Sequence, residues 1–177
     1  MPDAAGIVIR GAEPEDLAAI VAIGNQRSVA AGTLGLLYQS LADGQERFRF
    51  DATHRMLVAE IDGRIAGNIG LVLYRNRRAH AGAIGMSVSE EFQGRGIGTA
   101  LMAAVIDLAD NWYNLRRLEL EVYTDNDVAI RLYQRFGFVI EGTHHSYAYR
   151  EGAFVDAYAM ARLRNEPTLA VSDHSLP

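Results

Sequence analysis

The spacing of apolar and polar positions divides the chain into short strands and a few helices. Ile7-Val8-Ile9-Arg10, closed by Gly11, reads as a first strand. Pro14-Glu15-Asp16 then puts a proline and two acids in the first turn of a helix, and Leu17, Ile20, Val21 and Ile23-Gly24 continue it on one apolar face. Between residues 25 and 50 the pattern is broken at Gly32, Gly35 and Gly44, leaving room for one short helix near residues 38–42. Residues 56–61 and 64–74 flank Asp62-Gly63, a pair suited to the positive φ angles of a tight hairpin turn.

The second half is more regular. Residues 80–88 read as a strand made irregular by Gly82 and Gly85, because glycine inside a strand often marks a bulge or a close backbone approach. Residues 98–112 form the clearest helix, with Leu101, Val105, Leu108 and Trp112 at helical spacing. Residues 117–123 make a strand and 127–136 a helix, which Gly137 ends in the C′ position. A strand starts at 138–141, and 153–163 is the last. The order β-α-(α)-β-β-β-α-β-α-β-β, without repeat or linker, predicts one α+β (mixed α/β) domain over residues 1–164. The polar, aperiodic stretch 165–177 is expected to be a mobile tail.

Composition narrows the functional classes. A chain of 177 residues, 49% hydrophobic and 22% charged, fits one globular domain with a full core. It has no cysteine, which excludes disulfides, thiolate metal sites and a cysteine nucleophile. No apolar run approaches the roughly 20 residues of a membrane span, and the first residues lack a signal-peptide layout. A cytoplasmic setting without membrane partners is therefore expected. The net charge of −5 disfavours nucleic acid as a partner, so an anionic ligand would need a local device. The arginines of Arg75-Asn76-Arg77-Arg78 and Arg116-Arg117 read as a solvated turn and the start of a strand.

Gln93-Gly94-Arg95-Gly96-Ile97-Gly98-Thr99 is such a device. Glycines let successive N–H groups converge, the positive end of the helix favours phosphate, and Arg95 adds a local charge. The turn is neither a dinucleotide fingerprint, whose third glycine would fall on Thr99, nor a Walker loop, since no Gly-Lys-Ser/Thr is present.

A second motif follows at a distance. Gln93-x-x-Gly96-x-Gly98, then Asn126-x-x-Ala129-x-x-x-Tyr133-x-x-x-Gly137-Phe138, resembles the two signature motifs of the GNAT (GCN5-related N-acetyltransferase) superfamily, over about residues 7–163. Asp110-Asn111-Trp112, Ile140-Glu141-Gly142-Thr143 and the closing segment from Tyr147 to Ala161 look like the bacterial subgroup that acetylates free L-amino acids. The resemblance implies a mostly antiparallel, splayed mixed sheet flanked by helices. It implies an acetyl-CoA-dependent enzyme that needs no metal, acting on the primary amine of a small molecule by direct attack in a ternary complex. Its alternatives are a protein N-terminal or lysine acetyltransferase and a non-catalytic acyl-CoA-binding module. Homodimers are common in the family, which makes a homodimer an expectation.

The resemblance also implies site residues. The pyrophosphate would lie on Gln93, Gly94, Arg95, Gly96, Ile97, Gly98 and Thr99, and the pantetheine arm along Met86, Ser87 and Val88, with Asn126 reaching that arm. An N–H of residues 86–88, freed by the Gly82/Gly85 irregularity, would serve the thioester oxygen. Tyr133 would protonate the leaving thiolate. The splayed strand carries no acid between residues 80 and 88, where many relatives place a base, so Glu121 is the candidate, with Glu119, His80 or a water chain as alternatives. Glu121 precedes Tyr133 by twelve positions, as in the ribosomal-protein alanine acetyltransferase subgroup. An α-amine near pKa 8 is roughly a tenth neutral at pH 7, which makes the base less demanding than for lysine. Asn25, Gln26, Leu36, Tyr38, Tyr147 and Tyr149 are possible acceptor lining.

Overall fold

A computed structural model describes residues 6–48 and 51–164, so the tail expected at 165–177 lies outside the described residues. The first strands form where the alternation places them: β1 (Val8–Gly11), β2 (His54–Ile61) and β3 (Arg64–Leu73). Asp62 and Gly63 join β2 to β3 with φ of 49° and 73°, the double positive-φ turn expected of Asp-Gly. β4 (Ala81–Val88), β5 (Arg117–Tyr123), β6 (Val139–Arg150) and β7 (Ala153–Leu163) complete one seven-stranded sheet in the order β1-β2-β3-β4-β5-β7-β6. All neighbours are antiparallel except β4 and β5, which run parallel.

Five helices cover the sheet: α1 (Leu17–Gly24), α2 (Arg27–Gly32), α3 (Leu41–Arg47), α4 (Ile97–Asp107) and α5 (Asp127–Arg135). α1 packs on β3 and β4 from one side and carries α3. α4 packs on β1 to β4 from the other. There Ile69, Leu71, Leu101, Met102, Val105, Leu118, Leu120, Leu132 and Phe138 form a core sealed from water. Alternation along β5 decides which residues join it: Leu118, Leu120 and Val122 point into this core, so Arg117, Glu119 and Glu121 face the α1 side.

Three expectations need correcting. The single short helix near 38–42 is two helices, α2 before it and α3 overlapping its end, while Tyr38 itself stands in a turn at φ 62°. The clearest helix ends earlier, at Asp107, and passes into a π turn at Leu108–Trp112, where Arg162 on β7 grips Asp110 with bonds of 2.9 and 2.7 Å. β4 carries no irregularity at Gly82 or Gly85: it pairs with β3 in unbroken register from Gly82↔Leu73 to Val88↔Gly67. Register shifts lie instead on β2, at Ala59/Glu60, and on β6, at Ile140/Gly142 and His144/Ala148.

Gly82 is instead required by close approach. A Cβ there would lie 2.8 Å from the Val72 carbonyl oxygen and 3.1 Å from Leu71 and Leu115. At Gly85 a Cβ would meet nothing within 4 Å. Gly82→Ala is therefore expected to destabilise the fold by about 1–3 kcal/mol through overpacking, while Gly85→Ala leaves stability near the parent value. Urea denaturation of both variants checks this, and equal midpoints for the two would refute it.

Candidate active site

The site begins where two strands part. β4 and β5 share three pairs, Ala81↔Arg117, Gly82↔Leu118 and Ala83↔Glu119. Beyond them β4 stays with β3 through Val88 and β5 stays with β7 through Tyr123, but the two no longer pair with each other. The β4 backbone groups of residues 84–88 that face β5 are thus left without a ladder partner, and such groups demand one. The freed N–H of the Met86, Ser87 and Val88 stretch comes from this divergence, and the expected strand irregularity plays no part.

The glycine turn sits at the open end of the notch. Gly94 and Gly96 adopt φ of 75° and 84°, and open space surrounds both, so backbone can approach a ligand there. Gly96 is the N-cap of α4 and brings no side-chain cap, which leaves the first-turn N–H groups of Ile97, Gly98 and Thr99 free for an anion. Arg95 stands over the Phe92 ring at 5.4 Å. Gln93 Nε2 donates to the Val88 carbonyl at 3.3 Å, tying the turn to the end of β4. A Cβ on Gly98 would lie 3.0 Å from Met86 and 3.1 Å from Leu132, so α4, β4 and α5 converge on this glycine. The cradle fits a pyrophosphate, and it adjoins a free strand edge that fits an amide-bearing arm.

Asn126 is the N-cap of α5, its Oδ1 accepting from Ala129 N at 3.2 Å. Its oxygen is therefore committed to the helix, and only Nδ2 remains to donate to a ligand. Tyr133, two turns on, is 7% exposed and tilted against Phe138 with ring centroids 6.0 Å apart. Burial pushes its phenol up to about 12. It belongs to the core on the Leu120 side of β5, whereas Glu121 faces the other side. The two groups flank the notch from opposite faces of the sheet.

The three candidate bases are now separable. Glu119, opposite Ala83 in the last parallel pair, is taken up: Arg78 and Arg117 each donate to its Oε1 at 2.5 Å, and Tyr74 to Oε2 at 3.3 Å. Burial alone would raise its pKa, but the bonds from Arg117 and Arg78 outweigh that and hold it below the usual carboxylate range. His80 precedes the paired end of β4, roughly 23 Å of strand from Ser87 at about 3.3 Å per residue. Glu121 lies two residues past the apex, exposed, without hydrogen bond or ion pair to a described residue. Tyr147 feels its charge: burial first, then Glu121, pushes that phenol up.

On the Glu121 side, α1, α3 and the loop between α2 and α3 roof a small, partly open cleft over β3 and β4. Its lining includes Thr33, Gln39, Arg47, Phe48, Asn68 and Ser87. None of the residues named from sequence as possible acceptor lining is among those that line this cleft. Asn25 exchanges two 2.8 Å bonds with the Gln39 backbone, and Gln26 bonds Ser89 Oγ and Glu90 N. Leu36 and Tyr38 are exposed at 76% and 93%, and Tyr149 stacks edge-on against Phe154. Asn68 and Arg47 were missed. Asn68 Oδ1 is buried without a partner, a state that costs about 1–3 kcal/mol. The β6–β7 tip closes the neighbouring face, through Arg27–Glu151 at 2.8 Å, Arg150 to Asp125, and Arg150 to the Ala31 carbonyl at 3.0 Å. Among the described residues no group of three or more His, Asp or Glu side chains is placed to hold a metal, and no helix is long and apolar enough to cross a membrane.

Known proteins share this arrangement. Residues 27–138 match the Acetyltransferase (GNAT) family. The L-amino acid N-acetyltransferase AaaT of Escherichia coli is 42% identical over 159 residues, 89% of this chain and 98% of that protein. The spermidine N(1)-acetyltransferase of the same organism is 29% identical, covering 100% of this chain and 95% of its own. Among solved structures, a GNAT-family acetyltransferase from Streptococcus pneumoniae superposes with a TM-score of 0.76 at 31% identity, over 90% of this chain and 99% of that one. The chain belongs to the GNAT family and is an N-acetyltransferase that moves an acetyl group to an amine.

Proposed function

We propose that the enzyme acetylates the α-amine of a small molecule, an L-amino acid or a close relative, with acetyl-CoA as donor. The observation that carries this reading is the notch itself, which opens between Glu121 and Tyr133 beside a small cleft under α1 and α3. The similarity to an L-amino acid N-acetyltransferase supports it. The tie between the β6–β7 tip and α2 favours a small acceptor over a polypeptide, which would need an open groove.

When bound, acetyl-CoA supplies a thioester carbonyl open to attack by an amine. Gln93, Gly94, Arg95, Gly96, Ile97, Gly98 and Thr99 would hold its pyrophosphate, and the free edge of Met86, Ser87 and Val88 its pantetheine arm, with Asn126 Nδ2 as a further donor. An N–H on that edge polarises the carbonyl oxygen, a role worth ~3–4 kcal/mol where such donors have been removed. Glu121, unpaired and in water, takes the proton of the acceptor ammonium directly or through one water. Tyr133 gives its proton to the departing sulfur. A phenol at about 12 holds that proton more tightly than an aqueous thiol near 8.5, so burial must raise the thiol as well.

Three outcomes are expected. Tyr133→Phe lowers kcat by about 10²-fold or more while acetyl-CoA affinity, measured by calorimetry, stays the same. Unchanged turnover would remove the acid role. Because the acid works protonated and its pKa lies near 12, kcat measured from pH 6 to 10 should show no alkaline fall due to Tyr133. A limb descending near pH 9 would contradict that assignment. Glu121→Gln should depress kcat/KM by ~10²-fold or more at pH 7, with the deficit shrinking above pH 8 as the α-amine loses its proton unaided. A deficit that is constant with pH would point to a structural role.

A further inference from the structure

The cavity beside the notch combines two unmet demands. Asn68, on β3, is 5% exposed, and its Oδ1 is the one buried side-chain oxygen or nitrogen without a partner among the described residues. An unpaired amide oxygen of this kind calls for a donor. Arg47, at the end of α3, lines the same cavity. Its guanidinium rests over the Phe48 ring at 5.5 Å and makes no ion pair with a described residue. Most of the cross-strand arginines here do pair, including Arg10, Arg117, Arg150 and Arg162. Among the described residues no aspartate or glutamate lines the cavity.

The placement relates these groups to the chemistry. Asn68 is the register partner of Ser87 and shares its face of the sheet. Neighbouring strands lie about 4.8 Å apart, so an amine bonded to Asn68 Oδ1 stands in front of Ser87, at the margin of the notch. Arg47 approaches from the roof. A ligand spanning the two must offer an N–H donor at one end and an anion at the other.

We infer that Arg47 and Asn68 form the acceptor clamp: the Arg47 guanidinium takes the α-carboxylate, and Asn68 Oδ1 accepts an N–H from the amine to be acetylated. This rests on the amino-acid reading above and makes it specific. A guanidinium fork matches a carboxylate bidentately, which fixes orientation as well as affinity. The same charge repels a polyamine, whose additional ammonium groups would find no carboxylate in the lining.

Comparison of the twenty L-amino acids with their C-terminal amides, and with spermidine, tests the clamp. Each amide keeps the α-amine and loses the anionic charge, and because its amine is also less basic, rates are compared at equal concentrations of neutral amine. The wild-type enzyme is expected to favour its best amino acid over the matching amide by at least tenfold in kcat/KM. Arg47→Gln should erase most of that preference by raising KM for the acid far more than for the amide, and Arg47→Lys should restore part of it. Asn68→Leu should raise KM for acid and amide alike. Circular dichroism and acetyl-CoA titration confirm that each variant is folded and binds the donor. If amino acids are acetylated but Arg47→Gln leaves the acid-to-amide ratio intact, the clamp is wrong and the amino-acid reading stands. If spermidine is acetylated and no amino acid is, the amino-acid reading itself fails.

Discussion

The function of this fold depends on a hydrogen-bond ladder that stops. β4 and β5 pair at three positions and then follow different neighbours, β3 on one side and β7 on the other. Unpaired strand edges inside a sheet are unfavourable unless a partner is supplied, so the divergence leaves a free edge at the centre of the molecule that fits an extended, amide-bearing ligand. The closed end is stapled by Glu119, which gathers Arg78, Arg117 and Tyr74. The open end is held by the contact of Gly98 with Met86 and Leu132, where the first turn of α4 meets β4 and α5. Together these keep the notch open at one end and shut at the other.

Electrostatics follow the same division. All of the chain's basic residues are arginine, within a net charge of −5. Many are spent on joining elements: Arg10 with Asp16 and Glu60, Arg117 with Glu119 and Glu141, Arg162 with Asp110. These pairs are part-buried, and their clearest effect is orientation, each fixing one element against another. Arg95 beside the glycine turn and Arg47 beside the cavity are outside those pairs and lie against aromatic rings. An acidic protein can thus present positive charge locally, at the glycine turn and over the cleft, against an unfavourable global field.

The sequence was legible wherever the cause was local. The Asp62-Gly63 hairpin, the amphipathic α5 with its Asn126 cap, and the glycine turn each depend on residues within a few positions, and each stands where its pattern placed it. α2 was not legible, because its start is pinned from far along the chain: Gln26 to Ser89 and Glu90, and Ser28 to Glu90. α3 did carry a local mark, the capping box of Ser40 and Asp43, which fixes the helix start at Leu41, three residues after Tyr38. Asn68 and Arg47 had no such mark. A polar residue among the glycines of a strand and an arginine at a helix end become a pair only once α3 folds over β3.

Glu119 and Glu121 show why residue type and parity are not enough. They are the same residue on one strand, two positions apart and on one face, and both suited a catalytic base on pattern alone. The last parallel pair runs through Glu119, so that carboxylate falls where the strands are together and arginines from β5 and the β3–β4 connection converge on it. Glu121 falls where the strands have parted, and nothing described reaches it. A carboxylate held ionised by two guanidinium groups resists protonation, whereas Glu121 has no such partner among the described residues. The chemical difference comes from the register of a single ladder: had β4 and β5 paired for two residues more, the notch would close over Glu121 and the free strand edge would shrink with it.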